Sequence, residues 1–150
     1  MEGSSTGDAA GPGVSTVHAS VFVALFNASD PAHNQVVAWL RSAIADAEPL
    51  RAPVTVIAEV AALVSSGTGD KQMGRDVASQ IRHSALFELL PVALPLAERA
   101  ATIAAEHRFS GSDSLYFAVA ETLADRLVTL NPDHLARGNA LVETARPRPR

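Results

Sequence analysis

The chain has 150 residues, of which 47% are hydrophobic, and this length supports one domain with a sizeable buried core. Its formal net charge of −4 excludes a protein that holds nucleic acid through a general basic field. The absence of cysteine excludes disulfides, thiolate zinc sites and cysteine nucleophiles.

The two ends of the chain differ in composition from its middle. Residues 1–13, MEGSSTGDAAGPG, lack the basic start and the apolar run of a signal peptide, and their Gly, Ser and Pro content predicts a disordered leader. Residues 144–150, TARPRPR, predict a short, basic, flexible tail. No apolar segment is long enough to span a bilayer. We therefore expect one cytoplasmic domain over residues 14–143, with no membrane partner.

The first half of the chain alternates short β-rich runs with helical patterns. STVHAS predicts a strand, and VFVALF can open a helix directly after it. The next helix is expected to begin at Ser29 or Asp30, with Pro31 in its first turn. LRAPV then predicts a brief strand, and TVIAEVAALVSS a helix that GTG ends. The apolar stripe of the helix after Pro31 comprises Val36, Val37, Leu40 and Ile44.

The second half continues the alternation. DKQMGRDVASQIRHSAL predicts a helix, FELLPV a strand and LPLAERAATIAAEHR an alanine-rich helix. After the loop FSGSD come a helix, SLYFAVAETLA, a strand, RLVTL, and a short closing helix, NPDHLARG. This order predicts a parallel sheet with helices on both faces. Chemistry in such sheets lies outside the carboxyl ends of the strands, where His18 and Asn131 fall.

Two carboxylates stand out because of their positions on predicted helices. Glu59 is the one charge in VIAEVAALV, on the face shared by Val56 and Leu63, where a carboxylate is costly unless it is paired or binds a metal. Burial rules alone favour an edge position that reaches water or an arginine. Asp113 begins an apolar helix, and its capping-box spacing to Ser110 favours plain helix capping when it is considered alone.

Three further polar residues lie near the predicted sheet end. Considered alone, His18 is typical of a structural strand histidine, Asn131 of a turn before proline, and Asp133 of an N-cap. Together with mid-helix Glu59 and helix-start Asp113, their order along the chain forms a more specific pattern.

From about Val14 to Gly138 the chain resembles PIN-domain proteins, and is similar to the small ribonuclease toxins of the VapBC toxin–antitoxin systems. FSGSDSLYFAVAETLADRLVTL is the best match, LRAPVTVIAEVAAL is similar to the family's second strand and acidic helix, and VHASVFVALF to its opening strand. The resemblance implies a three-layer α/β/α sandwich with a central, mostly parallel sheet. It also implies an acidic cluster that binds Mg²⁺ or Mn²⁺ and cuts single-stranded RNA, and an antitoxin protein as a candidate partner.

The family's site residues carry over only in part. Glu59 and Asp113 match its acidic pattern, whereas His18 stands where the first aspartate is expected and Asn131 where the strand-end aspartate is expected. We assign Glu59, Asp113 and His18 as catalytic candidates, and these three with Asn131 and Asp133 as metal-ligand candidates. The small hydroxyl residues that the family places beside the acids are matched by Ser20 and Thr129.

Two functional hypotheses remain open. The loss of two anionic ligands weakens Mg²⁺ binding and removes most of the activity. This loss favours a degenerate PIN domain with a residual RNA- or protein-binding role and no obligatory cofactor. The alternative is an active endoribonuclease that prefers Mn²⁺ to Mg²⁺, because imidazole suits transition metals. A receiver-like domain is discounted, because early clustered acids are absent and Lys71 lies mid-chain.

The sequence also predicts a homodimer. Small PIN-like proteins commonly pair, and Val36, Leu40 and Ile44 with nearby Trp39 offer more apolar surface than one thin domain needs. The alternative is that all of this surface belongs to the internal core.

Overall fold

The computed structural model describes residues 13–149, so the predicted leader lies outside the described residues except for Gly13. None of the helices described is long and apolar enough to cross a membrane. In chain order, the elements are β1 (Ser15–Val17), α1 (Ala19–Phe26), α2 (His33–Ala45), β2 (Leu50–Pro53), α3 (Val56–Thr68), α4 (Lys71–His83), β3 (Phe87–Leu90), α5 (Leu94–His107), α6 (Gly111–Leu123), β4 (Arg126–Val128), α7 (Pro132–Arg137), a 3₁₀ turn (Gly138–Ala140) and β5 (Thr144–Ala145).

The central sheet, within the described residues, has five parallel strands in the order β3-β2-β1-β4-β5. The strand β1 pairs with β2 on one side, Ser15 opposite Leu50, and with β4 on the other, Val17 opposite Val128. The chain therefore winds in opposite directions from β1, and the carboxyl ends of β1 and β4 flank a topological switch point. The predicted α/β fold with a parallel sheet is confirmed.

The middle strand is buried on both faces, as expected for the centre of a covered parallel sheet. Its polar side chains are paired: Thr16 donates to Asp125 Oδ2 at 2.9 Å, and Ser15 donates to Glu48. The helix α6 is also buried over most of its length and contacts β1, β2 and β4. This packing fixes the N-terminus of α6 against the sheet, at the switch point.

The start of α2 differs from the prediction. The helix begins at His33, because Pro31 lies in a preceding turn in which Asp30 Oδ1 accepts from the N–H of Ala32 at 2.9 Å. Neither Ser29 nor Asp30 caps the helix.

The apolar stripe of α2 is mainly internal core. Val36 is fully buried and Trp39 is 5% exposed, while Ile44 is 50% exposed. The buried face of the helix consists of Val36, Trp39 and Ala43. These residues also have helical spacing, and they share Val36 with the predicted stripe. Of the surface that motivated the homodimer prediction, Val36 and Trp39 are therefore core and Ile44 is exposed, and the homodimer stays a prediction.

The ordered fold extends past the predicted boundary at residue 143. Thr144 pairs with Leu127 in the sheet, and Ala145 pairs with Val128. The buried Pro147 follows, and its carbonyl accepts from Gln35 Nε2 at 2.8 Å. Part of the predicted flexible tail, residues 144–150, therefore packs on the domain.

The contact between α3 and α4 depends on a glycine. A Cβ atom at Gly74 would lie 2.7 Å from the carbonyl oxygen of Ala61. We expect Gly74→Ala to lower the free energy of unfolding by about 1–3 kcal/mol, although alanine is the better helix former. Gly67→Ala, where a Cβ meets nothing within 4 Å, is the control and should be neutral or stabilising in denaturant unfolding. Equal effects of the two changes would contradict the assignment of this close contact.

Candidate functional site

Two histidines and an aspartate meet at the switch point of the sheet. His18 Nε2 lies 2.9 Å from Asp113 Oδ1, and His134 Nε2 lies 3.0 Å from Asp113 Oδ2. One candidate ligand atom from each residue lies within 4.8 Å of the others. Each carboxylate oxygen therefore contacts a different imidazole, and we call these three residues the His–Asp–His cluster.

His18 is placed by its position between β1 and α1. It is the N-cap of α1, and its Nδ1 accepts from the N–H of Ser20 at 3.1 Å. Because a backbone N–H can only donate, Nδ1 is the acceptor, and the Nε2–H of His18 donates to Asp113.

Asp113 lies in the first turn of α6, where capping was the favoured explanation. Ser110 is the cap, as the capping-box spacing predicted, and its Oγ accepts from the N–H of Asp113 at 3.0 Å. The Asp113 carboxylate is then available for the two imidazoles. Burial raises its pKa, but the close approach of the His134 and His18 imidazoles outweighs burial and holds the pKa below its usual range. The cluster therefore contains an ionised carboxylate at neutral pH.

His134 is fully buried and lies on the short helix α7. Its Nδ1 lies 3.0 Å from Thr129 Oγ1. Its Nε2 approaches Asp113 outside hydrogen-bond alignment, and within residues 13–149 this nitrogen has no hydrogen-bond partner. The ring packs edge-on against that of His18, with centroids 4.6 Å apart.

The two predicted supporting hydroxyls each contact one imidazole of the cluster. Ser20 Oγ lies 2.9 Å from His18 Nδ1 and accepts from the N–H of Leu130 at 3.1 Å. Thr129 Oγ1 contacts His134 and accepts from the N–H of Asn131 at 3.1 Å. These contacts connect both rings to the end of β4.

Glu59 reaches the cluster through a tyrosine. The buried Tyr116 donates its hydroxyl to Glu59 Oε1 at 2.8 Å, and its ring packs edge-on against that of His18 at 4.7 Å. Burial and the negative charge of Glu59 raise the pKa of Tyr116, so its proton stays on the phenol oxygen. The structure thus places Tyr116 between Glu59 and His18, and the catalytic roles of Glu59, Asp113 and His18 stay a prediction.

The structure does not bring the other two predicted ligands into the cluster. Asn131 caps α7, and its Oδ1 accepts from the N–H groups of Asp133 at 2.8 Å and His134 at 3.2 Å. Asp133 is exposed and forms two 2.7 Å hydrogen bonds with Arg137. Metal ligation by Asn131 and Asp133 stays a prediction.

Two residues of this site, Tyr116 and His134, were not predicted from the sequence. Tyr116 follows Asp113 by three positions, so helical spacing places them on one face. His134 lies three residues after Asn131, in the first turn of a helix that begins at a strand end. Each spacing was a usable signal, but neither identifies the partner side chain.

The hydrogen bond between Tyr116 and Glu59 should contribute measurably to stability. We expect Tyr116→Phe to lower the free energy of unfolding by about 1–2 kcal/mol, because the half-buried carboxylate of Glu59 loses the hydrogen bond that Tyr116 donates to it. Glu59→Gln retains an acceptor and should cost less. Chemical denaturation compares the variants, and an unchanged midpoint for Tyr116→Phe would contradict this role.

Comparison with known proteins identifies the family. The model of the PIN domain matches residues 16–139, and the chain belongs to the PIN domain family. The predicted family and its three-layer fold are confirmed. The comparison with curated proteins gives no match.

Solved structures share this fold. VapC20 of Mycobacterium tuberculosis, a toxin that cleaves the sarcin–ricin loop, is 24% identical over 83% of this chain and 95% of its own, with a TM-score of 0.70. VapBC2 from Rickettsia felis, bound to a DNA fragment from its promoter, is 15% identical over 87% and 98%, with a TM-score of 0.65. FitAcB from Neisseria gonorrhoeae is 22% identical over 89% and 97%, with a TM-score of 0.64.

Proposed function

We propose that this chain is a VapC-like PIN-domain protein whose altered acidic site has weak or no Mg²⁺-dependent ribonuclease activity, and that it retains an RNA- or protein-binding role. The observation that carries this proposal is the environment of Asp113, whose two carboxylate oxygens each contact an imidazole. A carboxylate so engaged is less available to a magnesium ion, which prefers oxygen ligands and gives up its water reluctantly.

The charge of the site supports the same conclusion. Four acids would carry a formal charge of −4, whereas Glu59 and Asp113 alone carry −2, since His18 and Asn131 occupy the other two positions. In the family's chemistry the acids act as a unit, and removing members of such a unit costs most of the activity.

We propose single-stranded RNA as the nucleic-acid partner, an antitoxin as the protein partner, and the cytoplasm as the location. The similar fold of the VapBC2 structure and of a toxin–antitoxin complex from Klebsiella pneumoniae supports an antitoxin partner. A gene beside this one that encodes a small DNA-binding protein would support this assignment, and co-purification of the two products tests it.

A combined binding and cleavage assay tests the proposed function. Labelled single-stranded RNA is mixed with the protein in chelator, Mg²⁺ or Mn²⁺, and fluorescence anisotropy is followed by a denaturing gel. We expect bound but intact RNA in chelator and in Mg²⁺. Rapid cleavage in Mg²⁺ would contradict the proposal.

An active endoribonuclease with an altered metal preference is the alternative function. The imidazole nitrogens of His18 and His134 favour this alternative, because they suit transition metals better than Mg²⁺. Cleavage in Mn²⁺ with little cleavage in Mg²⁺, in the same assay, would identify it.

The homodimer also stays a proposal, which now depends on the family resemblance. We expect light scattering at micromolar concentration to give twice the 15.6 kDa mass of the chain. Ile44, at 50% exposure, is the part of the predicted surface that remains available. A monomeric mass would contradict the prediction.

A further inference from the structure

We propose that His18, Asp113 and His134 bind a transition-metal ion of the zinc, cobalt and nickel class through two imidazole nitrogens and one carboxylate oxygen. This inference rests on the proposed function, because it concerns the same altered site. Metal binding, however, is measured without RNA. Its failure is therefore distinguishable from failure of the proposed function, which depends on cleavage.

The spacing of the three side chains suits such an ion. Zinc lies about 2.0–2.2 Å from nitrogen and oxygen ligands, so tetrahedral ligand atoms are about 3.3–3.6 Å apart. His18 Nε2 lies 2.9 Å from Oδ1 of Asp113, His134 Nε2 lies 3.0 Å from its Oδ2, and one ligand atom from each residue lies within 4.8 Å of the others. Small side-chain movements would therefore admit an ion.

The unpaired nitrogen of His134 is an independent observation that points to a ligand. The side chain is fully buried, yet its Nε2 faces Asp113 without an aligned hydrogen bond. Buried polar atoms are normally satisfied, and a bound metal ion would satisfy this nitrogen. The rings of Phe109 and Phe117, 5.7 and 5.3 Å away between centroids, cover the imidazole with apolar surface.

A hydroxyl group contacts the Nδ1 atom of each imidazole. A histidine that binds metal through Nε2 carries its proton on Nδ1 and donates it to a neighbouring oxygen. Ser20 Oγ lies 2.9 Å from Nδ1 of His18, and Thr129 Oγ1 lies 3.0 Å from Nδ1 of His134. In His18, binding at Nε2 moves the ring proton to Nδ1, which then donates to Ser20 Oγ and no longer accepts from the Ser20 N–H.

The donor set determines the selectivity. Imidazole suits zinc, nickel, cobalt and copper, whereas magnesium and manganese prefer sites rich in oxygen. We therefore expect zinc and cobalt to bind more tightly than manganese, and manganese more tightly than magnesium. Three protein ligands also leave a fourth position open to water or to a bound group.

Cobalt spectroscopy tests the site directly. Full-length protein without a histidine tag is titrated with Co²⁺, and the visible d–d absorption is recorded. We expect one cobalt ion per chain, displaced by Zn²⁺ and retained in a large excess of Mg²⁺. Absence of this absorption, together with no Zn²⁺ binding in calorimetry, would overturn the proposal.

Variants establish which residues bind the ion. His134→Gln and Asp113→Asn should abolish the absorption, and Thr129→Val should weaken cobalt binding by about 10–100-fold. His83→Gln, at an exposed histidine on α4, is the matched control and should bind as the unaltered protein does. Cobalt binding that is unchanged in folded His134→Gln would overturn the assignment.

A second variant covers the case in which His134→Gln does not fold. His18→Asp keeps an N-cap side chain for α1, so we expect it to fold. It should lose most of the cobalt affinity and gain affinity for Mg²⁺. Unchanged selectivity in this variant would show that His18 does not bind the ion.

Discussion

His18→Asp combined with Asn131→Asp is expected to raise the Mg²⁺-dependent cleavage of single-stranded RNA by at least about tenfold, which corresponds to about 1.4 kcal/mol of barrier lowering. The change restores two anionic oxygen donors at positions where the family resemblance places them, and Mg²⁺ gains more from carboxylates than from imidazole or amide. A gel assay with labelled RNA measures the rate.

Both replacements preserve the local structure. His18 caps α1 by accepting from Ser20, and Asn131 caps α7 by accepting from Asp133 and His134. Aspartate is among the best N-cap residues, so the double variant should fold. His18→Asn with unaltered Asn131 is the matched control, because it retains a cap without adding charge, and should not gain activity.

Metal dependence of stability provides a second measurement on the same variant. Without metal, the new carboxylate at position 18 lies beside that of Asp113, and their mutual repulsion should lower the melting temperature. Added Mg²⁺ or Mn²⁺ should recover stability, by about 2.7 kcal/mol at a hundred times the dissociation constant. If added metal does not change the melting temperature of the double variant, these positions do not form a metal site.

His134→Ala is expected to lower the free energy of unfolding by about 2–4 kcal/mol. The substitution creates a cavity beside Phe109 and Phe117, and removes one of the two imidazoles that stabilise the Asp113 carboxylate. Denaturant unfolding with both tryptophan fluorescence and circular dichroism measures the change.

The control for this effect is a histidine outside the site. His83→Ala, at the exposed end of α4, should change the free energy of unfolding by less than about 0.5 kcal/mol. A similar small change for His134→Ala would contradict the structural importance that we assign to this residue.

Much of the fold was predictable because its local signals agree. Gly69 ends α3 in the left-handed conformation, as the GTG segment predicted, and Ser110 starts α6. By contrast, the strand Thr144–Ala145 is too short to show a pattern. It forms because the edge of β4 offers unpaired backbone groups, a tertiary cause that sequence periodicity does not contain.

The site was predictable only in part, for a related reason. Glu59 and Asp113 stand out as carboxylates on apolar helices, and His18 stands out at a strand end. The contacts of Tyr116 and His134 depend on how three separate elements pack, and spacing along one helix cannot supply them. For the same reason, the sequence of α2 did not determine which of its two overlapping apolar faces is buried.

The most direct test of a degenerate PIN site is a time course of single-stranded RNA cleavage by the unaltered protein in Mg²⁺. The His18→Asp, Asn131→Asp double variant is the comparison in the same assay. We predict that the RNA stays almost intact with the unaltered chain and is cut by the double variant. Robust Mg²⁺-dependent cleavage by the unaltered chain would contradict the conclusion that His18 and Asn131 impair the site.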